Sequence, residues 1–153
     1  MTELWRKSAT ELAGMIASKA ISSTEVVDAH LARIASVNPS LNAVVRVLAD
    51  DARKASALAD AMVARGDPLG PLHGVPFTVK ENIDMAGLPT TWGVKALAQA
   101  IAPVDAPVVE RMRGGAWRDL ELEQLPDADR VAGCADPLRL GGEEVPASAA
   151  VRE

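Results

Sequence analysis

An α/β fold follows from three features of this 153-residue chain. Capping-box signatures open helices, short β-branched runs lie between helical stretches, and the two kinds of segment alternate along the sequence. Ser8-Ala9-Thr10-Glu11 and Ser22-Ser23-Thr24-Glu25 both fit the S-x-x-E pattern. In that pattern the serine and glutamate side chains satisfy N–H groups that a helix start leaves without partners. The second helix carries Val27, Leu31 and Ile34 at i, i+4 and i+7, one face, and Asn38-Pro39 predicts its end.

Asn42-Ala43-Val44-Val45-Arg46-Val47 has the β-branched enrichment of a strand. From Ala49 to Arg65 a helical period returns, with Ala52, Ala55, Ala59 and Met62 as its apolar face. Asp50 and Asp51 in its first turn and Arg65 in its last complement the helix dipole, and Gly66 stands just beyond. A face made mostly of alanine buries little area, so this helix depends on docking to something larger. Asp67-Pro68-Leu69-Gly70-Pro71 is a loop, and Val75 to Val79 reads as a short strand. Pro76 suits the edge or the first residues of a strand. Residues 84–93 are irregular, with Gly87 and Pro89 as turn residues, and Pro107 to Arg113 reads as a helix opened by its proline. After Gly114-Gly115 the periodicity degrades. Leu120, Leu122 and Leu125 suggest at most a brief amphipathic turn, and repeated Gly and Pro predict loose coil or disorder beyond.

Composition excludes several classes. Hydrophobic residues make up 48% and charged residues 24%, ordinary for a globular protein with one sizeable core. The net charge of −5, with acidic and basic residues interleaved, argues against a nucleic-acid partner, which needs clustered Lys and Arg. Cys134 is the only cysteine, so no intrachain disulfide forms, and with His30 and His73 far apart it offers no structural zinc set. No apolar run approaches ~18 residues and the N-terminus lacks a signal-like core, so no membrane span is expected and the cytoplasm is the default location.

The densest pattern is His73-Gly74-Val75-Pro76-Phe77-Thr78-Val79-Lys80-Glu81-Asn82. It carries one lysine from a turn, along an apolar strand, toward what the pattern suggests is protein interior. A desolvated lysine loses pKa and becomes a base near neutral pH. Spacing alone favours the plainer alternative, a strand-end lysine whose stem lies on apolar surface and whose ammonium stays in water. His73 sits in a Pro/Gly turn, where a hydrogen-bonding loop role is favoured over a second base. Glu81 and Asp84 read as solvated carboxylates with no assigned chemistry, and Asn82 as a residue that orders the turn after the strand.

Gly70-Pro71-Leu72-His73-Gly74-Val75-Pro76, Val79-Lys80-Glu81-Asn82-Ile83-Asp84 and Ala86-Gly87-Leu88-Pro89-Thr90-Thr91 together resemble the amidase signature family of serine hydrolases. A weaker likeness runs from about Ser8 to about Arg113. The resemblance implies the N-terminal part of a mixed-sheet α/β/α fold, incomplete in this chain. It also implies that Lys80 is the base of a Ser-Ser-Lys triad, bonded to a bridging serine that activates the nucleophilic one, and it reverses the plain reading of that lysine. Trp92 lies where such an enzyme begins to shape the substrate side of its site. The reaction implied is amide hydrolysis, with a small-molecule amide as substrate and no cofactor or metal. Some members use the same core to amidate misacylated tRNA within a larger assembly.

The family continues with a Gly-Lys-Thr-Asn-like segment and a Gly-Gly-Ser-Ser-Gly-Gly loop that supplies both serines; neither is present after Arg113. Ser148 is the only serine after Lys80, it has no neighbouring glycine, and it reads as a solvated tail residue. The expected organisation is therefore 1–115 as the family part and 116–153 as a divergent, disordered tail. A shifted reading frame, an early stop and a fusion all produce such a break. Two functional expectations follow: an amidase-type hydrolase by descent that is truncated and inactive alone, or a non-catalytic piece that associates with a chain bearing the missing loop. Unpaired sheet edges and apolar faces would then favour self-association and poor solubility.

Overall fold

The computed structural model describes residues 3–113 and 121–124. A single 3-10 turn, Leu4–Arg6, leads into α1 (Ala9–Ala17), followed by α2 (Ser23–Leu41), β1 (Arg46–Val47), α3 (Ala49–Arg65), β2 (Phe77–Val79), a 3-10 turn at Lys95–Leu97, α4 (Pro107–Arg111) and β3 (Glu121–Gln124). Both capping boxes form. Ser8 and Ser22 each accept the backbone N–H three residues on, and Glu11 and Glu25 each reach back to the cap N–H. The N-terminal turn is pinned through Trp5, whose ring lies 4.8 Å from the Arg6 guanidinium and 4.4 Å from that of Arg33 on α2.

α2 runs past the end the sequence predicts, with Pro39 inside its last turn. So near the C-terminus the proline interrupts little. The stop is Asn42, left-handed at φ 49°, whose N–H donates to Asn38 O at 2.7 Å. Asn38 also explains why the expected strand over 42–47 shrinks to Arg46–Val47. Its side chain donates to Val44 O at 2.7 Å and accepts from Val44 N–H at 2.9 Å, so Val44 has no backbone group left for a sheet ladder.

α3 has the predicted bounds, with Gly66 left-handed just beyond. Its buried stripe is Ala52, Ala55, Ser56, Ala59 and Val63; Val63 takes the place expected for Met62 because it meets Ile16 and Val26 in the core. Small residues let α3 lie close against α2. Val27 and Leu31 pack there on Ala52 and Ala55, while Leu12, Ala13, Ile16, Val26, Val63 and Val75 form the adjoining cluster. A third cluster, Phe77, Val79, Met85 and Val109, fills the space under β2 and α4.

The sheet is mixed, in the order β1-β3-β2. β3 runs antiparallel to β1, with Arg46 opposite Gln124 and Val47 opposite Glu123, and parallel to β2, with Phe77 opposite Glu121 and Val79 opposite Gln124. The register shifts between Phe77 and Val79. Four residues of the stretch expected to form a brief amphipathic turn thus form the central strand. The two strands beside it do not pair with each other. The rest of the expected tail lies outside the described residues. Among the described strands β2 is the edge on its other side, which agrees with Pro76 standing just before it.

One contact joins the motif loop to the helices. Gly74, at φ +76°, lies against the first turn of α2, and a Cβ there would meet Ser23 Cβ at 3.0 Å, Ser23 Oγ at 3.1 Å and Ile16 Cδ1 at 3.3 Å. Fully buried Ser23 donates its hydroxyl to Gly74 O at 2.7 Å. Asp60 on α3 accepts from Ser23 N–H at 2.6 Å, from Thr24 N–H at 3.1 Å and from the Thr24 hydroxyl at 2.7 Å. Its negative charge thus caps the N-terminus of α2 from a neighbouring helix.

These contacts predict unequal glycines. Gly74→Ala combines left-handed strain with overpacking, each about 1–3 kcal/mol, for a loss of roughly 2–6 kcal/mol. Gly66→Ala meets nothing within 4 Å and bears the strain alone, about 1–2 kcal/mol. Urea unfolding of the two variants measures the difference. The capping boxes predict an acid limb. The backbone N–H of Ser8, then its hydroxyl, holds the Glu11 carboxyl below the ordinary glutamate range, and Ser22 does the same for Glu25. Groups depressed on folding contribute stability that is present above the ordinary glutamate value and lost as pH falls through the folded value. Glu25→Gln, which keeps an acceptor oxygen but does not titrate, should flatten that loss in melts recorded across the acid range.

Candidate active site

Lys80 directly follows β2, and the strand's alternation decides where it points. Phe77 is buried, Thr78 exposed, Val79 buried, Lys80 exposed and Glu81 buried. The expectation of a lysine carried into the interior is therefore corrected: Lys80 shares the outer face with Thr78. The backbone turns immediately afterwards, with Ile83 N–H donating to Lys80 O at 2.9 Å.

The upstream half of the motif is structural. His73 is 4% exposed, and its Nε2–H donates to Ala59 O at 3.0 Å, as a carbonyl can only accept. The loop role expected for this histidine is the one it has. Gly74 provides the close approach to Ser23, and Val75 is buried between the helices.

The downstream half contains a residue that the sequence reading left without a role. Glu81 is 8% exposed rather than solvated. Its Oε1 accepts from Thr91 N–H at 2.5 Å and from the Thr91 hydroxyl. Thr91 Oγ1 in turn accepts from Gly93 N–H at 3.2 Å. The buried carboxylate thus clasps the segment ten residues downstream, and charge-assisted bonds of this kind are stronger than neutral ones. Spacing held no sign of this pairing. Asp84 stays exposed, and its backbone carbonyl accepts from Ala106 N–H at 2.9 Å. Asn82 does not order the turn through its side-chain oxygen: Oδ1 is buried without a partner among the described residues, as is Thr90 Oγ1.

Residues 87–90 and 100–102 run antiparallel, joined by the Pro89–Ile101 bridge and by Gly87 N–H to Ala102 O and Ala102 N–H to Leu88 O, both 2.9 Å. Asp105 ties the base of this hairpin to the residues just after α4, accepting from Ala86 N–H at 2.7 Å and from Arg113. Between the two arms stands Trp92, left-handed at φ +52° and 66% exposed. For a bulky side chain that conformation is an outlier and costs about 1–3 kcal/mol. Val94, Leu97, Ile101, Val104 and Val108 are also exposed along this stretch. Among the described residues no cluster of three His, Cys, Asp or Glu side chains is placed to hold a metal ion, and no helix is long and apolar enough to cross a membrane. Ser148 and Cys134 lie outside the described residues.

The family model for Amidase matches residues 25–116, which takes in α2, α3, the motif loop, β2, the Glu81–Thr91 clasp and α4. This chain belongs to the amidase signature family. It is 51% identical over 124 residues to the indoleacetamide hydrolase of Bradyrhizobium diazoefficiens, an alignment that covers 81% of this chain and 24% of that protein. To an acylamidase of Rhodococcus erythropolis it is 38% identical over 156 residues, covering 94% of this chain and 33% of the relative. The crystal structure of a bacterial aryl acylamidase of the amidase signature family superposes with a TM-score of 0.71 at 35% identity, over 78% of this chain and 25% of that one. The mixed α/β architecture is thus that of the family, and the chain spans about a quarter to a third of the length of these relatives.

Proposed function

We propose that this chain is the Lys80-bearing part of a carboxylic-amide hydrolase of the serine type, and that by itself it does not turn over. The observation that carries the reading is the motif from His73 to Thr91 within the family match. Its first half is locked to α2 and α3, and its second half sets Lys80 at the end of β2.

In the complete reaction Lys80 accepts a proton from a bridging serine, which takes one from the nucleophilic serine as that oxygen attacks the amide carbonyl. Ammonia or an amine departs with a proton, and water releases the acid from the acyl-enzyme. Base, relay and nucleophile act as a unit, so a lysine without its serines leaves little catalysis. Residues 1–115 supply the lysine, and the divergent 116–153 stretch contributes only Ser148. The indoleacetamide hydrolase and acylamidase relatives support a small amide as the substrate class, and we take the cytoplasm as its location.

The exposed apolar residues of 92–108 favour a second reading, a subunit that associates with a chain carrying the Gly/Ser loop or with its own copies. Ammonia release from indoleacetamide tests the catalytic reading. The chain alone should be inert. Mixed with the remaining three-quarters of the Bradyrhizobium diazoefficiens enzyme, it should restore hydrolysis, and Lys80→Ala should reduce that activity by at least a hundredfold. Restored activity that survives Lys80→Ala would remove the lysine from the chemistry. Turnover by the chain alone would remove the claim that it is incomplete.

A further inference from the structure

β3 fixes where the chain leaves the described fold. It runs parallel to β2 with Val79 opposite Gln124, so the two strands end side by side, about 4.8 Å apart, pointing the same way. Lys80 and Glu81 follow Val79, and the Glu81 carboxylate holds Thr91. Residues 125–153 therefore depart at the foot of the hairpin made by 87–90 and 100–102. Two features of that place require an occupant. The first is polar: Asn82 Oδ1 and Thr90 Oγ1 are buried without a partner among the described residues, and they flank the clasp, since Asn82 follows Glu81 and Thr90 precedes Thr91. Buried acceptors in native proteins are paired, so a donor is owed to each. The second is apolar: Val94, Leu97 and Ile101 stand 47%, 38% and 51% exposed along the same hairpin.

We propose that residues 125–153 of this chain dock on the hairpin, covering Val94, Leu97 and Ile101 and donating backbone N–H groups to Asn82 Oδ1 and Thr90 Oγ1. The segment has the chemistry for both tasks. It carries Leu125, Val131, Leu138 and Leu140 for the apolar ground, and at ~3.3 Å per extended residue it is long enough to run the whole hairpin. Its first charges, Asp127 and Asp129, are opposite in sign to the exposed Lys80 at the end of the sheet from which it departs. The divergent tail is then a working part of the fold, and a second chain reaches this face only by displacing it. The inference does not depend on amide hydrolysis.

Cys134 is the only cysteine, so a single nitroxide can be attached within this segment of the full chain. Paramagnetic broadening of the backbone amide signals, recorded against the reduced label, reads what the segment touches. Amides of 92–101 should lose at least half their intensity, while those of α1, which packs in a different core cluster, should keep theirs. Val94→Asp places a charge under the segment, and Thr90→Val removes one of the two acceptors. Each should reduce the broadening of the hairpin at least twofold, with the α1 signals unshifted as the sign that the helices remain folded. A mixture of nitroxide-bearing chain and isotope-labelled chain without nitroxide reads contacts between copies, and it should show no broadening. Full hairpin intensity in the native chain, a loss spread evenly over the surface, or broadening indifferent to either substitution would overturn the proposal. Broadening as strong in the mixture as within one chain would overturn it too, because the face would then belong to a second copy.

Discussion

The seat of Gly74 on Ser23 is the constraint on which the rest of the structure depends. It joins residues 51 positions apart, and it works only because three conditions hold together. Gly74 has no Cβ, so its backbone reaches a buried serine. Ser23 can be buried because its hydroxyl has the Gly74 carbonyl and its N–H has Asp60. Asp60 can approach because α3 presents small residues to α2. His73 adds a second tie, to the Ala59 carbonyl one residue before Asp60. The motif loop is therefore clamped to both long helices before β2 begins, and the direction of β2 and the position of Lys80 follow from that clamp.

This divides the labour within the motif. The residues upstream of β2 are anchors, while two of those downstream are exposed: Lys80 on the outer face of the strand, and Trp92 on a hairpin that the buried Glu81 carboxylate holds in place. Stability and presentation draw on different contacts. Loss of an anchor should damage the whole helical layer, whereas loss of the Glu81–Thr91 clasp should disturb chiefly the hairpin.

Much of the fold was legible because local physics governs it. The capping boxes at Ser8 and Ser22 and the span from Ala49 to Arg65, with Gly66 left-handed beyond, appear where the sequence places them. The misses have long-range or competing causes. Asn38 captures Val44 and removes it from a strand that β-branched enrichment had promised. β3 gains its strand character from two partners distant in sequence. Lys80 was expected inside because the run before it is apolar, yet an alternating strand sends it outward. Glu81 was expected in water because its acceptors' partner, Thr91, lies in a turn that no helical or strand periodicity connects to it.

The most direct test of the clamp is hydrogen exchange resolved by peptide, in the native chain and in Ser23→Ala. If the motif loop is held by the helices, peptides covering 73–79 and 22–26 should open with the same free energy and lose protection together in the variant. If 73–79 keeps its protection while 22–26 loses it, or opens independently in the native chain, the helices do not hold the loop, and the account of how Lys80 is positioned is wrong.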